Sequence, residues 1–411
     1  MGDIFLTRNN VADILGVSYR TVDGWVASGR LSYETREDGG RGFSYSQLAG
    51  HGEIDEMANS SWDDEMKTMP LRDYRSVELF AGGGGMALGM EMAGFRHVLL
   101  SELDKNACDT LRSNRPQWNI IGGDVRNIDF TPYRGTVDFV SGGFPCQAFS
   151  YAGEKRGFED ARGTLFFELA RAVKEMQPKV FLGENVKGLF THDGGRTLQV
   201  IKSVIADLGY TLVEPRVLKA VMYCVPQKRE RLILVAIRND LAERVTFRWP
   251  SPYYKVLTLR DAFCKGMLYD CDVPPSAGQD YPSRKRAIMD MVPEGGNWRD
   301  LPEEVQKEYM KGCFGLEGGK TGIARRLSMD EPSLTLTCAP AMKQTERCHP
   351  WETRPLTVRE YARIQTFPDD WEFKGKTGEQ YKQIGNAIPV NLAYAVGRSV
   401  VRLLNDIEAL G

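Results

Sequence analysis

No stretch of eighteen apolar residues occurs in the chain, which excludes a helix of membrane-spanning length. No two cysteines stand in C-x-x-C spacing, and the four histidines, His51, His97, His192 and His349, are scattered. Cys348 and His349 are adjacent rather than spaced for chelation, so no metal site is expected. An excess of one charge is also missing. The chain holds 53 basic and 55 acidic residues, a net −2, so any nucleic-acid contact has to come from local patches. Met1-Gly2-Asp3-Ile4 lacks the form of a secretory leader. The expectation is a cytoplasmic protein with its eight cysteines reduced and no membrane association. What is present, 411 residues with 42% hydrophobic content, suffices for two or three cored domains.

One stretch organises the rest: Gly142-Gly143-Phe144-Pro145-Cys146-Gln147-Ala148-Phe149-Ser150. It follows Val137-Asp138-Phe139-Val140, an apolar run read as a short buried strand with an abrupt glycine end. A cysteine just past a strand end and behind a rigid proline is placed like a nucleophile. Most intracellular cysteines are instead small buried hydrophobes, so its partners must decide.

In residues 1–50, Val11, Ile14 and Leu15 fall at helical spacing behind Thr7 and stop at Gly16. Ser18 can cap a second helix bearing Val22, Trp25 and Val26, and the runs near Tyr33 and Tyr45 can form a hairpin wing. The pattern resembles winged helix-turn-helix domains of the MerR and excisionase type, which implies that Arg20 faces a major groove. Five arginines are offset by six acids here, so DNA binding and protein docking both stay open. Residues 51–72, rich in Asp and Glu with little periodicity, read as an acidic linker.

Ser76 to Phe80 reads as a strand, and Ala81-Gly82-Gly83-Gly84-Gly85 as the turn into a helix. Gly82, Gly84 and Ala87 satisfy G-x-G-x-x-A, with Glu102 twenty residues beyond the first glycine. Asp124 follows a third strand, Asn119 to Ile121. Backbone amides in the turn and acids at successive strand ends suit the nucleosides of NAD and S-adenosylmethionine alike.

With these in place, about Arg75 to Leu404 resembles the cytosine-5 DNA methyltransferases. The blocks run in order: Phe80-x-Gly82-x-Gly84; Phe144-Pro145-Cys146-Gln147; Glu184-Asn185-Val186; Gln227 to Arg231; Arg359 to Pro368; and Gly385-Asn386-Ala387-Ile388-Pro389. The resemblance implies S-adenosylmethionine as cofactor, held by Phe80, Gly82, Gly84, Glu102, Asp124, Pro145 and Asn386. It implies Cys146 as the thiolate that adds to carbon 6 of a flipped cytosine, with Glu184 on ring nitrogen 3 and Arg229 and Arg231 in the active site. Arg229 and Arg231 alternate along one strand and its entrance, so both can point at the pocket. Ser150, a further candidate DNA contact, opens a glycine-punctuated stretch similar to the family's mobile catalytic loop. The D-P-P-Y motif of the amino methyltransferases is absent.

From 251 to 354 the helix and strand alternation lapses and prolines and glycines accumulate. The family places its target-recognition domain here, which makes Arg325, Arg326, Lys343 and Gln344 candidate DNA contacts. The expected fold is α/β: a Rossmann-like S-adenosylmethionine-dependent methyltransferase sheet over 73–250, completed by 355–411. A smaller, irregular recognition domain and the N-terminal winged helix-turn-helix accompany it. The expected activity is methylation of a short duplex DNA site by a monomer, in a restriction-modification system with a cognate restriction endonuclease. Methylation of tRNA, or a DNA-binding regulatory role, are the alternatives.

Overall fold

A computed structural model describes residues 5–35, 40–144, 165–315 and 321–410. Pro145, Cys146 and Ser150 lie outside the described residues. Near the N-terminus, β1 (Phe5–Leu6) precedes α1 (Arg8–Leu15) and α2 (Tyr19–Ala27), capped by the Thr7 and Ser18 hydroxyls. β2 (Glu34–Thr35) and β3 (Arg41–Ser44) pair antiparallel, and β1 adds to β3. Val11, Ile14, Val22, Leu31 and Phe43 fill the core between them.

The expected linker over 51–72 is a correction. It carries α3 (Gly52–Ala58) and α4 (Trp62–Glu65). Ile54, Met57 and Trp62 are buried, and Trp62 packs edge-on against Tyr253 with ring centroids 5.6 Å apart. Glu53 and Asp55, and Asp63, Asp64 and Glu65, occupy the first turns of the two helices, where negative charge meets unpaired amides. Three apolar anchors among so many acids were too few to show as a period.

The central sheet begins with β4 (Tyr74–Leu79), α5 (Gly85–Met92), β5 (Phe95–Glu102), α6 (Lys105–Asn114), β6 (Ile120–Gly122) and β7 (Phe139–Gly143). α7 (Leu165–Met176), β8 (Val180–Val186), α8 (Arg196–Asp207), β9 (Tyr210–Leu212), β10 (Arg216–Lys219), β11 (Gln227–Lys228) and β12 (Glu230–Arg238) follow. Strand order is β10-β12-β8-β7-β4-β5-β6, with β9 also on β12. β4 to β8 run parallel, and β12 runs antiparallel beside β8. The glycine end expected before Cys146 is also corrected. Gly142 and Gly143 belong to β7 and pair with Gly183 and Glu184 of β8.

The sheet is followed by short helices α9 (Asn239–Ala242) and α10 (Leu259–Phe263). The insert then holds α11 (Ser283–Asp290), α12 (Glu303–Met310) and β13 (Ser333–Leu334), which pairs parallel with β11. Its own core gathers Tyr281, Met289, Val292, Trp298, Leu301 and Met310. α13 (Val358–Ile364) and α14 (Thr377–Asn386) lead back to the sheet, and α15 (Val390–Glu408) packs on α5. That approach needs glycine: a Cβ on Gly89 would stand 2.5 Å from Ala393 Cβ. Buried Leu392, Val396, Val400 and Leu403 of α15 share a core with Met90 of α5 and Phe95 and Phe139 of the sheet.

Candidate functional site

The carboxyl ends of β4, β5, β7 and β8 open on a cavity of about 610 Å³, reached also by α14 and the turn after it. Ligands of open α/β sheets bind at this end of the strands. Phe80, just past β4, has φ 60°, and Gly82 and Gly84 have φ 54° and 91°. A left-handed conformation costs a non-glycine residue about 1–2 kcal/mol. At Phe80 it accompanies the bend by which the strand leaves the sheet and reaches the glycine turn. Gly84 then caps α5 in the left-handed conformation. The helix N-terminus and the turn amides therefore border the cavity.

Glu102, the last residue of β5, holds this turn. Its Oε2 accepts from Gly82 N at 2.7 Å, and its Oε1 accepts from Asp104 N at 2.7 Å. Both oxygens keep lone pairs for a hydroxyl donor. Asn386 also lines the cavity, and its Oδ1 accepts from Cys338 Sγ at 3.2 Å. Asp124 is placed apart: it is not among the lining residues, and its carboxylate is fastened to Arg126 Nε at 3.0 Å. Hydrogen bonds from Arg126 hold its pKa down to about 2.

Glu184 lines the far wall of the same cavity. Its Oε1 is 2.6 Å from Arg231 Nε, because β8 and β12 are antiparallel neighbours. Burial pushes the Glu184 carboxyl above the usual range, against the pull of Arg231 and Arg229. Burial likewise lowers Arg231. Gly143 makes room for the carboxylate, since a Cβ there would lie 2.9 Å from Glu184 Oε2. Next to it Asn185 is buried, and its Nδ2 donates to Phe144 O at 2.7 Å. The last described residue before Pro145 is thereby tied to the strand that carries Glu184.

Arg229 does not line the cavity. It is 2% exposed and donates to Leu336 O at 3.2 Å and Gly385 O at 2.9 Å. Arg229 sits at the entrance of β12 as expected, but its guanidinium is taken up by those two carbonyls instead of sharing the cavity wall with Arg231. Arg326 is a further correction. It is buried, and its guanidinium donates to the carbonyls of Val292, Met289, His349 and Pro350 and to Thr353 Oγ1. Those donors knit the insert together and leave none directed at DNA. Arg325 beside it is half-buried. Lys343 and Gln344 are exposed, with Lys343 Nζ 5.0 Å above the Tyr309 ring. Arg20 is exposed on α2.

Sequence reasoning missed Glu78. It is 2% exposed, lines the cavity, and its Oε2 has no hydrogen-bond partner among the described residues. Burial pushes its carboxyl well above the usual range. An acid inside the apolar run Val77-Glu78-Leu79, three residues before the glycine turn begins at Ala81, was the signal that could have found it. The described residues hold no cluster of His, Cys, Asp and Glu able to bind a metal ion.

Residues 74–402 match the C-5 cytosine-specific DNA methylase family. The chain is 64% identical over 401 residues to the Type II methyltransferase M.Eco47II of Escherichia coli, covering 97% of this chain and 96% of that protein. It is 61% identical to M.PspPI of Psychrobacter sp. (strain TA137), covering 96% and 95%. The M.Sau96I enzyme of Staphylococcus aureus is 49% identical, over 82% of this chain and 77% of its own. A prophage-encoded Escherichia coli protein assigned as a DNA modification methyltransferase shares the fold. Its TM-score is 0.59 at 23% identity, and the match covers 81% of this chain and all of that one.

Proposed function

The chain belongs to the C-5 cytosine-specific DNA methylase family and is a DNA cytosine-5 methyltransferase, and we propose that it uses S-adenosylmethionine to modify a cytosine turned out of a short duplex site. The observation that carries this reading is that one cavity is walled by the glycine turn and Glu102 on one side and by Glu184 on the other. A nucleoside cofactor and a base can meet there.

The residues present fit the cofactor. Glu102 offers acceptors for ribose hydroxyls, and the amides of the glycine turn and the unpartnered Glu78 Oε2 offer polar contacts. Met86 and Ile388 supply apolar wall. Asn386 on the cavity wall is a further candidate contact, as are Asp124, set apart from the wall, and Pro145. When bound, S-adenosylmethionine supplies the electrophilic methyl group that carbon 5 accepts.

Carbon 5 of cytosine is a weak nucleophile, so the chain has to activate it. Cys146 attacks carbon 6 as a thiolate, and the electron pair of the 5,6 double bond moves toward ring nitrogen 3. Glu184 stabilises that charge by giving nitrogen 3 a proton, a role that burial favours by raising the carboxyl's pKa. Arg231 fixes the orientation of the Glu184 carboxyl through the 2.6 Å contact. After carbon 5 is alkylated, loss of its proton restores the double bond and expels the thiolate. Arg229 supports this wall from behind. Arg325, Lys343, Gln344, Arg20 and Ser150 are the candidate DNA contacts. The Type II names of the relatives support a role in protecting DNA from a cognate restriction endonuclease.

The test is transfer of a tritiated methyl group to duplex DNA and, in parallel, to tRNA. Label in DNA alone is expected, and duplexes carrying 5-fluorocytosine at the target position should trap a covalent adduct. Label confined to tRNA overturns the substrate, and absence of any adduct overturns addition at carbon 6.

A further inference from the structure

The N-terminal region meets the catalytic sheet through half-buried charge. Asp13 of α1 places Oδ2 2.8 Å from Lys228 Nζ, and Glu331 Oε2 lies 3.6 Å from the same ammonium. The side chains of Asp13, Lys228 and Glu331 are only 20%, 13% and 27% exposed. Asn9, one turn before Asp13 on the same side of α1, donates to Glu331. Nearby, Lys219 at the end of β10 donates to Ile14 O and pairs with Glu53 at 3.0 Å. Burying an ammonium is costly unless carboxylates face it closely. Glu331 alone stands too far away for a good hydrogen bond, and Asp13 supplies the near partner.

Lys228 is an informative place for that partner. It is the second residue of β11, in parallel register with Leu334 of β13, and its carbonyl accepts from Thr335 Oγ1 at 2.6 Å. One residue on, Arg229 holds Leu336 and Gly385. Two further on, Arg231 meets Glu184. Glu331 in turn stands two residues before β13, the strand by which the insert returns to the sheet. A single helix outside the family-matched residues 74–402 therefore touches β11 and the residue two before β13.

We propose that Asp13 is a positioning residue for methyl transfer: by closing the charge cluster with Lys228 and Glu331, it makes the N-terminal region a brace that sets β11 against β13 and so aligns Arg231, Glu184 and the insert. The brace rests on reading Glu184 and Arg231 as base-facing groups. It gives residues 1–50 a role that needs no basic surface, in keeping with their balanced charge. The match to the Escherichia coli relative spans 97% of the chain and so extends through this region.

The test uses full-length protein. Asp13→Asn keeps the shape and removes the charge, and Asp13→Glu restores it. For Asp13→Asn, kcat/KM for duplex DNA is expected to fall about five- to twentyfold, with S-adenosylmethionine affinity measured by calorimetry within twofold of wild type. Asp13→Glu should recover most of the loss, which general unfolding would not allow. Hydrogen exchange should quicken in Asp13→Asn at the amides of 227–231 and 333–336 without quickening in β4 and β5. Wild-type kinetics in Asp13→Asn, or unchanged exchange in those two segments, overturns the brace. Wild-type protein that methylates no duplex DNA would instead overturn the proposed substrate, and the exchange arm would still decide on the brace.

Discussion

The two walls of the cavity are built on different principles. On the cofactor side, Gly82 and Glu102 are twenty residues apart and belong to adjacent βα units, so the site is made of strand ends, turn amides and one acceptor carboxylate. On the base side, Glu184 and Arg231 come from antiparallel neighbours β8 and β12, and the working groups are buried ionisable side chains. Backbone amides keep their polarity at any pH and survive every side-chain substitution except proline. A buried carboxyl beside a guanidinium is sensitive to pH and to the loss of either member. The cofactor wall should thus tolerate side-chain change with modest losses in affinity, whereas the base wall should fail in turnover.

The largest break between the walls is expected from Cys146→Ser. Turnover should fall at least about 10⁴-fold, with cofactor affinity within twofold of wild type, read by tritiated transfer and calorimetry. Retained turnover would remove the nucleophile from the base side altogether. Glu184→Gln comes next, with a loss of about 10²–10⁴-fold in kcat. Its pH profile sharpens the contrast. Burial raises the Glu184 pKa, so turnover that needs its proton is full below that pKa and declines as pH climbs through it. The Gln variant, with no proton to lose, should lack this limb; a limb that survives belongs to another group.

Within the cofactor wall, Glu102→Ala should weaken S-adenosylmethionine about tenfold, the scale of one charge-assisted hydrogen bond. Asp124→Ala should cost less, because that carboxylate is already fastened to Arg126. Equal losses would mean that Asp124 leaves Arg126 when the cofactor arrives. The smallest effect probes the frame both walls share. Hydrogen bonds from Arg72 and Lys179 hold the Glu408 pKa down to about 2. Its carboxylate therefore contributes stability that is present above about pH 4.5 and lost as pH falls toward 2. Glu408→Gln should lower stability by up to about 1 kcal/mol at neutral pH, with the deficit from wild type shrinking through that window in thermal melts.

The same contrast governs what could be read from sequence. Phe80, Gly82, Gly84 and Glu102 were legible because neighbouring strand ends space them regularly along the chain. Glu184 was legible through its motif, but its pairing with Arg231 required knowing that β12 reverses beside β8. Arg229 and Arg326 were misplaced because their acceptors, from Leu336 and Gly385 to Val292 and His349, are remote in sequence or lie in a segment without periodicity. Helices α3 and α4 were hidden by acids whose effect on composition outweighed Ile54, Met57 and Trp62. Glu78 was passed over because a lone acid in an apolar strand leaves no pattern.

α15 returns to where the sheet begins. Asn405 Oδ1 accepts from Leu71 N at 3.0 Å and from Tyr74 Oη at 2.7 Å, and Glu408 meets Arg72 at 2.9 Å. The two ends of the catalytic unit are thus stitched side by side, on an element that carries none of the cavity's polar groups. Such a unit can be permuted: a short peptide joining residue 410 to residue 71, with new termini opened in a surface turn, would preserve every strand neighbour in the sheet. The order in which cofactor-side and base-side blocks follow one another along the chain is then a matter of where the circle is cut, and the chemistry does not dictate it.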